Sequence, residues 1–159
     1  MKINIREAKA TDMPLVKRIF VETSWNYLSD TQKKILDREQ WNMSVVKYFD
    51  NVLKKEKSEV FIAEDERHKY VGHLIVGQTT GTITELSFGY IYDIFVQDEF
   101  RGKGIGKLLL TKAENYCRKK HYRRIALSTS ATNDPAIKLY RRTGYKPERI
   151  EMAKGIAKD

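Results

Sequence analysis

The segment Tyr90 to Leu110, YIYDIFVQDEFRGKGIGKLLL, constrains this chain more than any other stretch. Alternating β-branched and aromatic residues from Tyr90 to Val96 predict a strand. A polar turn, Gln97 to Phe100, leads into Arg101-Gly102-Lys103-Gly104-Ile105-Gly106, which opens directly into an amphipathic helix. A strand, a glycine-rich turn and a helix start together make an anion cradle. Glycines let the backbone approach a ligand closely, and the first N–H groups of a helix have no intrahelical acceptor. Arg101, Lys103 and Lys107 add positive charge at the same end, so a phosphate-bearing ligand is expected here.

Two familiar phosphate motifs fail on spelling. Gly106-Lys107 is followed by Leu108, so the hydroxyl that a Walker sequence places on Mg²⁺ is missing. The dinucleotide fingerprint would need a third glycine at Lys107, and it belongs to an early βαβ unit rather than one two-thirds along the chain. The spelling that fits is R-x-x-G-x-G, Arg101 through Gly104 to Gly106. A second segment, Asn133-Asp134-Pro135-Ala136-Ile137-Lys138-Leu139-Tyr140 with Gly144-Tyr145 behind it, reads N-x-x-A-x-x-L-Y. It makes sense unaided: Asn133 or Asp134 caps a helix, Pro135 suits its first turn, and Gly144 suits the position after its end.

In these two motifs, and in Ile5-Arg6-Glu7-Ala8 with Thr11-Asp12-Met13-Pro14, the chain resembles the GCN5-related N-acetyltransferase superfamily over essentially all 159 residues. The expected fold is α/β: a central mixed sheet with helices on both faces, in one domain spanning 1–159. Periodicity predicts a strand at 3–8, a helix capped by Asp12 with Leu15, Val16, Ile19, Phe20, Thr23 and Tyr27 on its inner face, and a helical region over 31–55. A hairpin of Glu59 to Glu64 and Tyr70 to Gln78 follows, then a turn at Gly81 to Glu85 into the strand ending at Val96. Last come a 104–120 helix, a 125–130 strand, a 134–143 helix and a terminal strand or hairpin from Tyr145 to about Lys154. The strand–helix–strand unit over 86–130 implies a right-handed crossover joining parallel strands.

Composition narrows the partners. Hydrophobic residues at 41% and charged residues at 32% are ordinary for a globular domain. No apolar run approaches the roughly 18–20 residues that span a bilayer, and no secretory core follows Met1, so a cytoplasmic protein is expected. The net charge of +9 is scattered over helix ends and exposed faces, as at Lys33-Lys34, Lys54-Lys55 and Arg118-Lys119-Lys120. No basic platform interleaved with aromatics appears, so neither nucleic acid nor a membrane is expected as a partner. The single cysteine, Cys117, excludes an internal disulfide and a cysteine-rich metal site. It falls on a helical face with Ile105, Leu108, Leu109, Ala113 and Tyr116 and reads as a buried thiol; no metal is expected.

The resemblance implies acetyl-CoA as cosubstrate and transfer of its acetyl group to a primary amine. In that family two parallel strands splay apart and the pantetheine arm lies between them. Backbone groups of Ile94, Phe95 and Val96 are implied for pantetheine and the acetyl group, amides from Gly102 to Lys107 for the diphosphate, and Asn133 and Tyr140 for the same ligand. A buried strand amide is also suited to the oxyanion. Tyr140 is implied as the proton donor to the thiolate: a phenol near 10 and a thiol near 8.5 leave the transfer only about 1.5 units uphill.

The base stays open among Asp93, a carboxylate inside an apolar strand, Glu85 at the strand entrance, His73 through its near-neutral titration, and a water relay. The resemblance implies an acceptor wall built from the first two helices and their loop, here Trp25, Tyr27, Leu28, Trp41 and Tyr48. Core packing is the alternative for Trp41 and Tyr48. Rings suit a cation or a peptide, whereas the net positive charge disfavours a polyamine unless the pocket is acidic. An N-terminal amine is the easier nucleophile: about one in ten is neutral near pH 7, against roughly one in a few thousand lysines. The alternative reading is an acyl-CoA-binding sensor that does not turn over, and a monomer or homodimer is expected.

Overall fold

A computed structural model describes residues 1–81 and 86–156. Five strands form one sheet in the order β1-β2-β3-β4-β5: β1 Asn4–Glu7, β2 Glu59–Glu64, β3 Tyr70–Thr80, β4 Ser87–Val96 and β5 Ile125–Leu127. The first four are antiparallel and β4 pairs with β5 in parallel, so the mixed sheet is as expected. Helices α1 Met13–Ser24, α2 Asp30–Ile35 and α3 Arg38–Lys54 come before β2, α4 Ile105–Lys119 joins β4 to β5, and α5 Asp134–Arg142 follows β5.

Apolar residues at helical spacing decide which face each helix covers. Val16 and Phe20 of α1 and Trp41, Val45, Phe49 and Val52 of α3 pack on Val60, Ile62 and Ile75. On the other face Ile105, Leu109, Leu110, Ala113, Tyr116 and Cys117 of α4 pack on Phe61, Ala63, Leu74, Val76 and Ile91. The face of α4 therefore includes Leu110 rather than Leu108, which is exposed. No described helix is long and apolar enough to cross a membrane.

Four local expectations change. The helical region 31–55 is two helices, because Leu36 is extended and each helix brings its own cap: Ser29 with Gln32 for α2, and Asp37 accepting from the Glu39 and Gln40 amides for α3. Asp12 does not cap α1 with its side chain. Its carboxylate instead accepts from the Lys9 amide and from Arg6. Strand β5 ends at Leu127 rather than at residue 130, and residues 145–156 form no strand. The turn at Gly81 to Glu85 lies, past Gly81, outside the described residues.

Two features of β4 position the site. Its pairing with β5 covers only Gly89, Tyr90 and Ile91, opposite Ile125, Ala126 and Leu127. From Tyr92 to Val96 it keeps β3 on one side and, among the described residues, no strand on the other. It also carries a bulge: Val76 faces Ile91 and Ile75 faces Asp93, leaving Tyr92 as the extra residue. Alternation slips there. Ile91, Ile94 and Val96 pack with α4, whereas Tyr92 and Asp93 both turn toward the α1–α3 side.

Candidate active site

Where β4 and β5 part, a cavity of about 370 Å³ opens. Its floor is Ile91 to Ile94 of β4, Leu127 at the end of β5, and Ser128 to Ser130 beyond it. Phe20 and Ser24 of α1 and Tyr27 in the turn after it, with Tyr48 of α3, close one side; Ala136 and Tyr140 of α5, with its cap Asn133, close the other. Thus Tyr140, Asp93, Ile94, Asn133 and Tyr27, singled out from sequence, meet in one space. Phe95 and Val96 continue the open edge of β4 beyond it.

A strand with one free edge presents backbone N–H and C=O groups that an extended ligand can pair with, as an added strand would. That edge runs into the glycine turn. Gly102 and Gly104 have φ of 75° and 81°, the left-handed region, which explains glycine at both positions. Gly104 is the N-cap of α4, and the first amide to return to the chain is that of Leu108, on the Gly104 carbonyl at 3.2 Å. The amides of Ile105 to Lys107 are the first N–H groups of the helix, at the positive end of its dipole.

The cations around the turn divide. Lys107 is exposed beside the turn. Arg101 braces it from within, its Nε donating to the Val96 carbonyl at 3.1 Å and its guanidinium meeting Asp98 at 2.8 Å. Lys103 donates to the Glu99 carbonyl at 2.8 Å and lies over the Phe100 ring. Ile105 is buried in the core, so only its backbone belongs to the cradle. Gly106 faces α5, where an added Cβ would come within 2.8 Å of a Leu139 methyl.

Helix α5 is set by its ends. The Asn133 side chain accepts from the Ala136 amide, Pro135 sits in the first turn, and Gly144, with φ of 94°, closes the other end. The Tyr145 amide reaches back to the Tyr140 carbonyl and that of Gly144 to Arg141, a Schellman closure. Tyr140 is thereby held half-buried at the cavity wall. Burial first, then Tyr27 and Asp93, push its phenol up to about 12. Burial and Asp93 likewise raise Tyr27 and Tyr70.

Asp93 is the one carboxylate among the described residues that line the cavity. His73 touches its Oδ2 with Nε2 at 2.7 Å, and Nδ1 of the same ring lies 2.6 Å from the Tyr70 hydroxyl. His73 is fully buried and is not among the residues that line this cavity, so it stands behind Asp93 rather than beside it. Glu85 lies outside the described residues.

A second, shallower groove of about 270 Å³ shares Phe20, Ser24 and Tyr48 with the first and adds Leu28, Trp41, Ser44 and Val45. Trp41 therefore stands on the α1–α3 wall. Trp25 lines neither cavity; it packs edge-on against Trp41 at 5.1 Å and carries the Arg38 guanidinium 4.1 Å above its ring. That face is already occupied by a cation. Sequence reasoning missed Ser128, Thr129 and Ser130, although the change from apolar Ile125–Leu127 to a polar run marks where the strand stops. It also missed the contact of His73 with Asp93 and of Tyr70 with His73, signalled only by a histidine inside the apolar run of β3.

The splayed parallel pair, the open bulged strand and the glycine cradle define an N-acetyltransferase. The chain belongs to the acetyltransferase (GNAT) family, whose profile matches residues 21–145. It is 31% identical over 142 residues to an uncharacterized N-acetyltransferase of Archaeoglobus fulgidus, covering 87% of this chain and 89% of the relative. It is 33% identical over 109 residues to one of Methanocaldococcus jannaschii, covering 68% of this chain but only 47% of that longer relative. Among solved structures, a putative acetyl transferase from Pyrococcus furiosus superimposes with a TM-score of 0.82 at 28% identity, over 98% of this chain and all of the other. A predicted acetyltransferase from Clostridium acetobutylicum, solved with acetyl-CoA, has the same fold, with a TM-score of 0.70 at 21% identity over 96% of each chain.

Proposed function

We propose that the protein transfers acetyl from acetyl-CoA to a primary amine by direct attack in a ternary complex. The observation that carries this reading is the single cavity in which the free edge of β4, Asp93 and Tyr140 converge. Acetyl-CoA supplies a thioester carbon open to a nucleophile. Amides from Gly102 to Lys107, with Lys107 beside them, suit its diphosphate, and backbone groups of Ile94, Phe95 and Val96 suit its pantetheine arm. Asn133 flanks the same space.

Three jobs remain for the chain. The amine has to lose a proton, which Asp93 accepts; Glu85 is the competing base. A backbone amide on the free edge of β4, past its pairing with β5, stabilises charge on the carbonyl oxygen. Tyr140 donates to the departing sulfur. With its phenol near 12 and a free thiol near 8.5, full transfer is roughly 3–4 units uphill, so the proton moves only as charge gathers on sulfur.

The acceptor is a protein N-terminus or another small amine in preference to a polyamine. One cavity carboxylate matches one amine, and the adjoining groove, where Trp41 stands, is apolar. Thiol release from acetyl-CoA should be measured against N-terminal peptides, lysine peptides, polyamines and small amines. Turnover with a monoamine or N-terminal peptide, lowered strongly but still measurable in Asp93→Asn with acetyl-CoA binding kept, is the expected result. Acetyl-CoA binding with no thiol release on any amine would make the protein a sensor instead.

A further inference from the structure

Strand β3 is buried from Val71 to Val76, and the one polar residue in that stretch, His73, has no solvent exposure. A buried imidazole is costly unless both ring nitrogens are satisfied. Here both are: Nε2 faces Asp93 Oδ2 at 2.7 Å, and Nδ1 faces the Tyr70 hydroxyl at 2.6 Å. The Phe95 ring stacks on the imidazole at 5.7 Å and closes it from solvent.

The chemistry of these groups orders the protons. An ionised carboxylate only accepts, so Nε2 carries the hydrogen that meets Asp93. In the neutral ring Nδ1 is then an acceptor, and the Tyr70 hydroxyl donates to it. Burial and Asp93 raise the Tyr70 phenol, which keeps that hydrogen in place. The chain therefore runs in one direction, Tyr70 to His73 to Asp93, and ends on one carboxylate oxygen. No other hydrogen bond to the Asp93 carboxylate comes from a described side chain, so Oδ1 is left for whatever enters the cavity.

We infer that His73, held by Tyr70, is a positioning residue for Asp93, fixing Oδ2 from behind so that Oδ1 meets the acceptor amine. The inference rests on reading Asp93 as the base. A carboxylate on a bulged strand beside an open cavity could rotate among several rotamers. A buried donor on a neighbouring strand removes that freedom, and the bulge at Tyr92 turns Asp93 onto the face His73 occupies. His73 itself touches neither substrate.

The test is a cycle of variants, with acetylation of the fastest amine in the panel as readout. His73→Leu, which removes the donor, is expected to lower kcat at least about tenfold while the Kd for acetyl-CoA stays within about twofold, a loss of the size general base catalysis supplies. His73→Gln, whose amide reaches toward the Nε2 position, should recover part of it, and Tyr70→Phe should cost less than His73→Leu. In an Asp93→Asn background, His73→Leu should cost less than about twofold, because the group it positions is gone. An equal loss in both backgrounds would overturn the inference and leave His73 as packing.

If His73→Leu does not fold, His73→Gln in the two backgrounds gives the same comparison. Nitrogen-15 spectra of the wild-type imidazole provide a readout that needs no amine: the expected tautomer carries its hydrogen on Nε2, and a hydrogen on Nδ1 alone would overturn the inference. Wild-type turnover in Asp93→Asn would instead remove the base reading, and the positioning role with it, while the spectra still report the hydrogen-bonded chain.

Discussion

Gly106 and Leu139 meet across the gap between α4 and α5, where an added Cβ on the glycine would lie 2.8 Å from the leucine Cδ2. The third glycine of the cradle thus sets the approach of the helix that carries Tyr140. Gly106→Ala pushes on a flexible side chain and gains helix propensity of about 1 kcal/mol, so stability should change by less than about 1 kcal/mol. Leu139 precedes Tyr140, and kcat should fall several-fold with acetyl-CoA binding little altered. Denaturant unfolding and steady-state rates separate the two effects.

Gly104 is constrained differently, with nothing within 4 Å of an added Cβ but a φ of 81°. Gly104→Val should cost about 1–2 kcal/mol through backbone strain and abolish the rise in melting temperature that acetyl-CoA produces. At 100 times Kd that rise corresponds to about 2.7 kcal/mol in the parent. Gly104→Asn, better tolerated in the left-handed region, should keep much of both. Equal thermal shifts in Val, Asn and parent would remove the turn from the binding site.

Tyr140→Phe keeps the ring and deletes the hydroxyl. It should lower kcat at least about tenfold, with KM for acetyl-CoA little changed and stability within about 1 kcal/mol. The loss should shrink with an acyl donor whose thiol is more acidic. Because burial raises the phenol to about 12, Tyr140 stays protonated as pH rises, and its ionisation should remove no activity until pH approaches that value. A rate that falls near pH 10 in the parent and not in Tyr140→Phe would contradict this.

Glu64, 4% exposed, is held well below the usual carboxylate range, at about 2, by hydrogen bonds from His68 (3.0 Å), Asn4 (3.1 Å) and Arg6 (2.9 Å). A depressed carboxylate stabilises the fold above its unfolded pKa, near 4.5, and that contribution is lost as pH falls toward 2. His68 is largely in water, which screens its share. Glu64→Gln should therefore destabilise on the order of 2 kcal/mol at neutral pH and flatten the fall in stability between about pH 4.5 and 2. Unfolding midpoints across that range, parallel in both proteins, would speak against it.

The sequence showed the cradle and α5 clearly because both are written in local signals: glycines at three positive-φ sites, a capping Asn133, and helical periodicity. The break between α2 and α3 was legible in the caps Ser29 and Asp37 but was hidden by continuous periodicity. The terminal strand or hairpin expected from Tyr145 to about Lys154 does not form, because a strand needs a neighbour to supply hydrogen bonds, and Ile150 and Met152 stand exposed. Least legible was the pairing of Asp93 with His73. It depends on the bulge at Tyr92, which shifts side chains between faces and leaves no mark in composition. Trp25, expected on the acceptor wall, is covered by Arg38 at the start of α3, a contact no spacing rule supplies.

Cys117, the chain's one cysteine, lies under the sheet with its thiol pushed up to about 11 by burial, and a side chain on Gly89 would collide with its sulfur. A thiol reagent added to the folded protein should therefore find almost nothing to label, so every sulfhydryl counted during turnover belongs to released product. Once the chain unfolds, the same reagent should count one sulfhydryl per molecule. The molecule thus carries its own gauge of how much of a preparation is native.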